Sequence, residues 1–433
     1  MPKDFRGLEI SGADTAVEAA IVRFQHAFQG FRDEAGEILA LADAAPDCAI
    51  AQVYAAAMWV YSQSEAVIAE NAAPLLARAT ALPMDERERL THAAVTAWAK
   101  ADFATAVVRF EAITARWPQD ITAVKFAEFN FFQAPDYPRH LAFMQAVAPA
   151  NHDLPAFLAM LAFAHELAGE PARAIALADE ALAREPDTPW ADHAASHAFL
   201  NGGRIDEGIA ALERHRDLFD GHAQGIRGHN AWHLALLHLA RLDSERALAL
   251  YRDRIAVADP DDVFFHTDAV GLLWRLELAG IAVPDALWAP IADAAEVQAR
   301  EAVMPFLNGL YVHALVRAGR ADVAAEAVAT LTARKQGRGE AVWDAGLSLL
   351  RGVVALADGD AARGVALLEP VMPRVAAVGG SDAQNDLLRL AFVRGLADAG
   401  RPGDAAAAMA ARLSGRSATP FEASVAAPRI HPH

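Results

Sequence analysis

Cysteine is almost missing from this chain. Cys48 is the single one, so no internal disulfide can form and a cysteine-rich metal site is excluded. Positive charge is also scarce, with 38 Lys and Arg against 56 Asp and Glu and a formal charge of -18. No basic stripe is present to neutralise phosphates, which excludes nucleic acid as a partner. Alternating β-branched runs are nearly absent and there are only 5 Tyr, so nothing in the pattern builds a sheet. No apolar run approaches the roughly 18 residues that suggest a membrane span. The opening MPKDFRGLEISGAD lacks the basic-then-apolar order of a secretory signal. A cytoplasmic protein without a membrane partner is the expectation.

What is present favours helices. Ala, Leu, Arg and Glu are abundant, and the apolar fraction of 54% suits stacked helices that bury both sides of each internal layer. A repeat runs through the 433 residues. Each copy has a turn residue followed five positions later by a small one: Ala101 and Ala106, Gly169 and Ala174, Gly203 and Gly208, Leu242 and Ala247, Gly319 and Ala324, Gly359 and Gly364, Gly400 and Ala405. Gly169 and Gly203 stand 34 residues apart, and later spacings lengthen to as much as 41. Pro118 and Pro186 follow at matching distances, where proline ends a helix because it cannot continue one. Such a unit has the tetratricopeptide pattern, in which small residues let paired helices approach closely. The predicted fold is all-α, a tetratricopeptide-like superhelix of helical hairpins (an α-α solenoid) over 15–413. An arm precedes it over 1–14, and an irregular, disordered tail over 414–433 follows. Phe24, Phe28 and Phe31 are expected on the first helix. Gly203 and Ala247 are expected at helix contacts, where a bulky replacement would separate the helices.

Histidines concentrate where the repeat is clearest. His193/His197 and His229/His233 are each four apart, so the members of a pair share one helical face. In a tetratricopeptide unit the first helix lines the concave surface. Counting back from the turns at Gly203 and Leu242 puts all four on that surface, the turn at Gly319 adds His313, and the turn at Gly169 adds Glu166. Taken singly, each pair reads as ordinary hydrogen-bonded histidines. Two pairs in consecutive repeats point instead to a ligand, metal or substrate site. Neutral imidazoles suit a divalent transition metal, with Asp268 or Glu166 to complete the shell or act as base. HExxH is absent, which removes the zinc-protease arrangement.

Other motifs resolve into structure. In GGSDAQND, Ser381 and Gln384 form a capping box that starts a helix, while the lysine and spacing of a phosphate loop are missing. KQGRGE is a polar loop between helices. Phe126, Phe129 and Phe132 beside Lys125 read as buried packing, with an apolar wall for a small ligand as the alternative.

WADHAASHAFLNGGRIDEGI, RGHNAWHLALLHLARLDSERALALYRDRI, DAVGLLWRLELAG and GGSDAQND together resemble the family of tetratricopeptide repeat protein 38 and its bacterial relatives. The resemblance spans about residues 10 to 413, and its most specific element contains His229, Asn230, Trp232 and His233. It implies an α-helical repeat superhelix of cytosolic type, with Asp268 and Gln384 among the matching positions. Leu200 and Tyr311 stand where the family carries an acid, and Asp382 where it commonly carries a histidine.

Two functions follow. In the first, a histidine-lined concave groove, with Glu166, Asn230, Trp232, Asp268, His313 and Gln384 among its residues, binds a partner peptide, protein or small ligand. In the second, the same groove is the active site of an enzyme, with His193, His197, His229 and His233 binding metal or moving protons. An open groove suits the first, and a closed, water-poor site suits the second.

Overall fold

The computed structural model describes the chain except for Met1, residues 134–135, 258, 260–261, 336–340 and 429–433, and the side chain of residue 341. The loop expected at KQGRGE falls on 336–340, outside the described residues. Described residues form helices throughout and no strand, apart from an isolated bridge between Lys3 and Glu9. Where repeat spacing suggests one solenoid, contacts gather the chain into two compact units: Met1–Ala198 with Arg214–Arg227, and Phe199–Glu213 with Gly228–His433.

Every turn residue named from the repeat has a left-handed backbone. Gly169, Gly203, Gly319, Gly359 and Gly400 have φ between 68° and 86°, while Ala101 and Leu242 take 56° and 61°. That conformation lets the chain reverse in few residues and costs glycine least. Gly280, with φ of 81°, makes a further such turn that the repeat had not revealed. Beyond the turns the small residues meet neighbouring helices: Ala106, Ala174, Ala247, Ala324 and Ala405 are fully buried. The fold is thus an all-α stack of helical hairpins of the tetratricopeptide kind. Aspartates start many of the helices, with Asp85, Asp102, Asp136, Asp243 and Asp360 accepting from first-turn N–H groups. The capping box of Ser381 and Gln384 is present at the start of Asp382–Asp398.

Close approach is tightest where glycines face each other. A Cβ on Gly364 would lie 2.5 Å from Leu356 Cδ2 and 3.2 Å from the Gly352 carbonyl oxygen. Leu356 also packs against Gly395, where a Cβ would lie 2.9 Å from it, and the Gly352 carbonyl is backbone that has little room to give. Gly364→Val should therefore destabilise the chain by about 1–3 kcal/mol through overpacking. Denaturant unfolding reads this directly, and an unchanged midpoint would contradict the contact. Gly203 needs the opposite correction. A Cβ there meets only Arg416 Cδ at 3.5 Å, so a bulky residue would strain the left-handed turn without pushing any helix away from its neighbour. The contact residue is Gly208, whose Cβ would sit 2.9 Å from Leu237 and Phe199.

Two expectations about the ends change. The first helix is Thr15–Gln29, and Phe31 lies beyond it with φ of 52°. The tail expected to be disordered over 414–433 contains the helix Pro420–Ala426, with Phe421 and Val425 buried and Thr419 and Glu422 forming a capping box. Its serines and prolines misled because Thr419 and Pro420 start a helix here, Pro420 at its first position.

Candidate functional site

In the first unit, Glu166 and Phe163 come from the helix Pro155–Leu167, and Trp190, His193 and His197 from Pro189–Gly202. Spacings of three and four put the last three on one helical face. The Trp190 ring stacks on His193 at 4.0 Å and 17°, and Phe163 presents an edge to both imidazoles. Held this way, His193 and His197 bring their Nε2 atoms to 3.2 Å. Glu166 Oε2 stands 3.6 Å from the other nitrogen of His197, Nδ1. Two imidazole nitrogens on one tetrahedral ion at about 2.0–2.1 Å are separated by about 3.3–3.4 Å, so the pair has the edge length of a metal site. Without an ion, one ring donates its N–H to the other. A carboxylate thus lies beside Nδ1 at ion-pair distance, outside hydrogen-bond reach.

Behind Trp190, its Nε1 donates to Glu128 Oε1 at 2.8 Å. One turn away, Lys125 donates to the last carbonyls of the first helix, Phe28 and Gln29 at 3.3 Å for the second, with its ammonium 3.5 Å from the Phe31 ring centre. Burial pulls the Lys125 pKa down and pushes the Glu128 pKa up. Phe126 is buried among Tyr54, Tyr61, Trp98 and Phe110, and Phe129 packs on Tyr61 and Trp98. The aromatic series is core packing.

The second unit carries a different arrangement. His229, Asn230, Trp232 and His233 lie on Gln224–Ala240, and Asp268 on Val263–Leu278. His229 Nδ1 and Asp268 Oδ1 are 2.8 Å apart, so the imidazole donates there and turns its Nε2 lone pair outward. Burial raises the Asp268 pKa, and the hydrogen bond from His229 works against that rise. Trp232 lies parallel to His229 at 5.2 Å and 13°, and meets His233 edge-on at 4.8 Å. Space for the indole exists because position 271 is glycine, where a Cβ would come within 3.3 Å of it. All four histidines are 0 to 4% exposed.

The remaining candidates are placed as follows. His313, on Pro305–Arg317, is stacked on Trp274 at 3.8 Å and has Trp288 edge-on at 5.3 Å. Its charged neighbour is Glu277, not Asp268. Gln384 Oε1 accepts from the Ser381 N–H at 2.8 Å within the capping box. Asp382 accepts from Asn201, and Tyr311 packs edge-on against His266. Among the imidazole–carboxylate pairs that escaped the sequence are His215 with Asp192 at 2.8 Å and His222 with Asp187 at 2.6 Å. Their partners lie 23 and 35 residues apart, and no motif links them.

No protein-family model matches the chain. Among solved structures it is similar to a tetratricopeptide repeat protein from Parabacteroides merdae ATCC 43184, at 13% identity and a TM-score of 0.32, covering 71% of this chain and 98% of that one. It is also similar to the tetratricopeptide domain of P58(IPK), at 16% identity and a TM-score of 0.22, covering 89% and 99%. Naa15/Naa10 bound to HypK-THB gives 13% and 0.22, covering 94% and 69%.

Proposed function

We propose that this helical-hairpin repeat protein holds a divalent transition metal on buried histidines and serves metal or proton chemistry, in place of capturing a peptide in an open groove. The observation that carries this is the 3.2 Å between the Nε2 atoms of His193 and His197, in a pair with a carboxylate at its back. Peptide capture needs side chains that reach solvent, and these imidazoles do not. His193 and His197 would bind the ion through Nε2, with the Glu166 carboxylate 3.6 Å from His197 Nδ1 as a neighbouring anion. His229, held by Asp268, presents a second Nε2 of defined tautomer. Bound metal would supply Lewis acidity or an acidified water. On the HNxWHxAL element we also read the chain as a bacterial member of the tetratricopeptide repeat protein 38 family.

The test is elemental analysis of the purified chain, before and after incubation with zinc and dialysis. Stoichiometric retained metal is expected, and the double variant His193→Gln with His197→Gln should lose it while keeping its helical circular dichroism. His229→Gln with His233→Gln, measured in parallel, reports whether the second pair also contributes. Retention unchanged by the first double variant, or no metal retained by the unaltered chain, would overturn the proposal.

A further inference from the structure

The second unit contains a pocket of ≈ 850 Å³ lined by none of the four paired histidines, within the size range of small-molecule sites. Its wall includes Trp274, Glu277, His313, Arg317, Arg394 and Asp398. His313 is 2% exposed, and neither of its ring nitrogens has a hydrogen-bond partner. Glu277 Oε2 stands 3.8 Å from Nε2, beyond hydrogen-bond reach. Burial lowers the pKa of this imidazole against the pull of Glu277, and the neutral ring has one donor and one acceptor. A buried polar ring left unmatched by the chain is what a polar ligand would satisfy.

The charges on the wall come in two balanced pairs. Arg317 donates from Nε to Glu277 Oε1 at 2.9 Å. Arg394 grips Asp398 through two bonds of 3.0 and 2.7 Å. Two cations and two anions leave no surplus of either sign, which disfavours a phosphorylated anion or a bare metal ion. A ligand with one carboxylate and one ammonium, by contrast, finds a partner for each. Between the charges the surface is apolar, with Leu278, Ile281 and Leu356 on it. Gly280 and Gly359 also line it, and a Cβ on either would meet nothing within 4 Å, so the space beside these turns is open.

We infer that this pocket binds a small zwitterion with an apolar body, a free amino acid or a short peptide with both termini charged. The inference stands apart from metal binding, since no residue is shared with the histidine pairs.

Calorimetric titration of the full chain decides it, with leucine and leucyl-leucine as the zwitterionic probes. N-acetyl-leucyl-leucine amide, which lacks both charges, and inorganic phosphate are the controls. Saturable binding of leucine or of leucyl-leucine is expected, at least tenfold tighter than the capped compound, and the better probe separates amino acid from peptide. Ala361→Trp, at the first position of its helix and on the pocket wall, should abolish that binding while the metal content stays as in the unaltered chain. No saturable binding of either zwitterion, equal binding of the capped compound, preferential binding of phosphate, or binding that survives Ala361→Trp would each overturn it.

Discussion

Asp120→Ala is expected to remove about 3–5 kcal/mol of stability, the cost typical of leaving one member of a buried ion pair alone. Arg87 and Asp120 are each 2% exposed, with Arg87 Nη1 3.0 Å from Asp120 Oδ2. Burial works against the charge on Arg87, but Asp120 outweighs it and raises the Arg87 pKa above its ordinary value. Asp120 also accepts from the Ala123 N–H at 3.0 Å, in the first turn of Ile121–Gln133. Asn at 120 would keep much of that second contact and lose the charge, so Asp120→Asn should fall between Ala and the unaltered chain. Replacing both members, as Arg87→Met with Asp120→Ala, should cost less than Asp120→Ala alone because no charge is stranded. Denaturant unfolding of the three variants reads the order. A loss below about 1 kcal/mol for Asp120→Ala, well short of what such a pair should cost, would show that water reaches Arg87.

Acid should release the C-terminal helix. Glu422 is 3% exposed and accepts from Arg416 at 2.6 and 2.8 Å, from Arg412, and from the Thr419 N–H at 2.8 Å. Burial alone would raise its pKa, but these donors overcome it and hold the carboxyl down at about 2, against an ordinary 4.5. A folded-state value below the unfolded one stabilises the folded form above about pH 4.5, and that contribution fades as pH falls toward 2. Over the whole interval it amounts to at most about 3 kcal/mol. Hydrogen-exchange protection of residues 420–426 should therefore be lost below pH 4 before that of the rest of the second unit. Glu422→Gln should show fast exchange already at pH 7 and little further change with acid. Equal protection at pH 2.5 and 7 in the unaltered chain would contradict this account.

Local rules were readable in the sequence, and tertiary choices were not. Turn residues at Ala101, Gly169 and Leu242, and the capping box at Ser381, depend on a few adjacent residues, so their spacing disclosed them. Gly203 and Gly208 lie in the same short motif, and only packing distinguishes the one that turns the chain from the one that touches Leu237. Helical spacing put His193 beside His197, yet the stacking of Trp190 and the edge of Phe163 set their ring angles. Of the pocket beside His313, the sequence disclosed that histidine alone as a site residue. Its charged residues come from Val263–Leu278, Pro305–Arg317 and Asp382–Asp398, and each pair of neighbours within it looks like an ordinary surface ion pair.

The amino-terminal residues are bound into the first unit by more than apolar contact. Lys125, deep inside, depends on the carbonyl oxygens of Phe28 and Gln29 and on the face of Phe31. Arg87 leans on the carbonyl of Glu9. Trimming the chain to begin after Phe31 would strip two interior cations of the carbonyl oxygens and the ring that solvate them, while Asp120 and Glu128 stay in place. The opening segment thus acts as an electrostatic keel for the hairpins that follow.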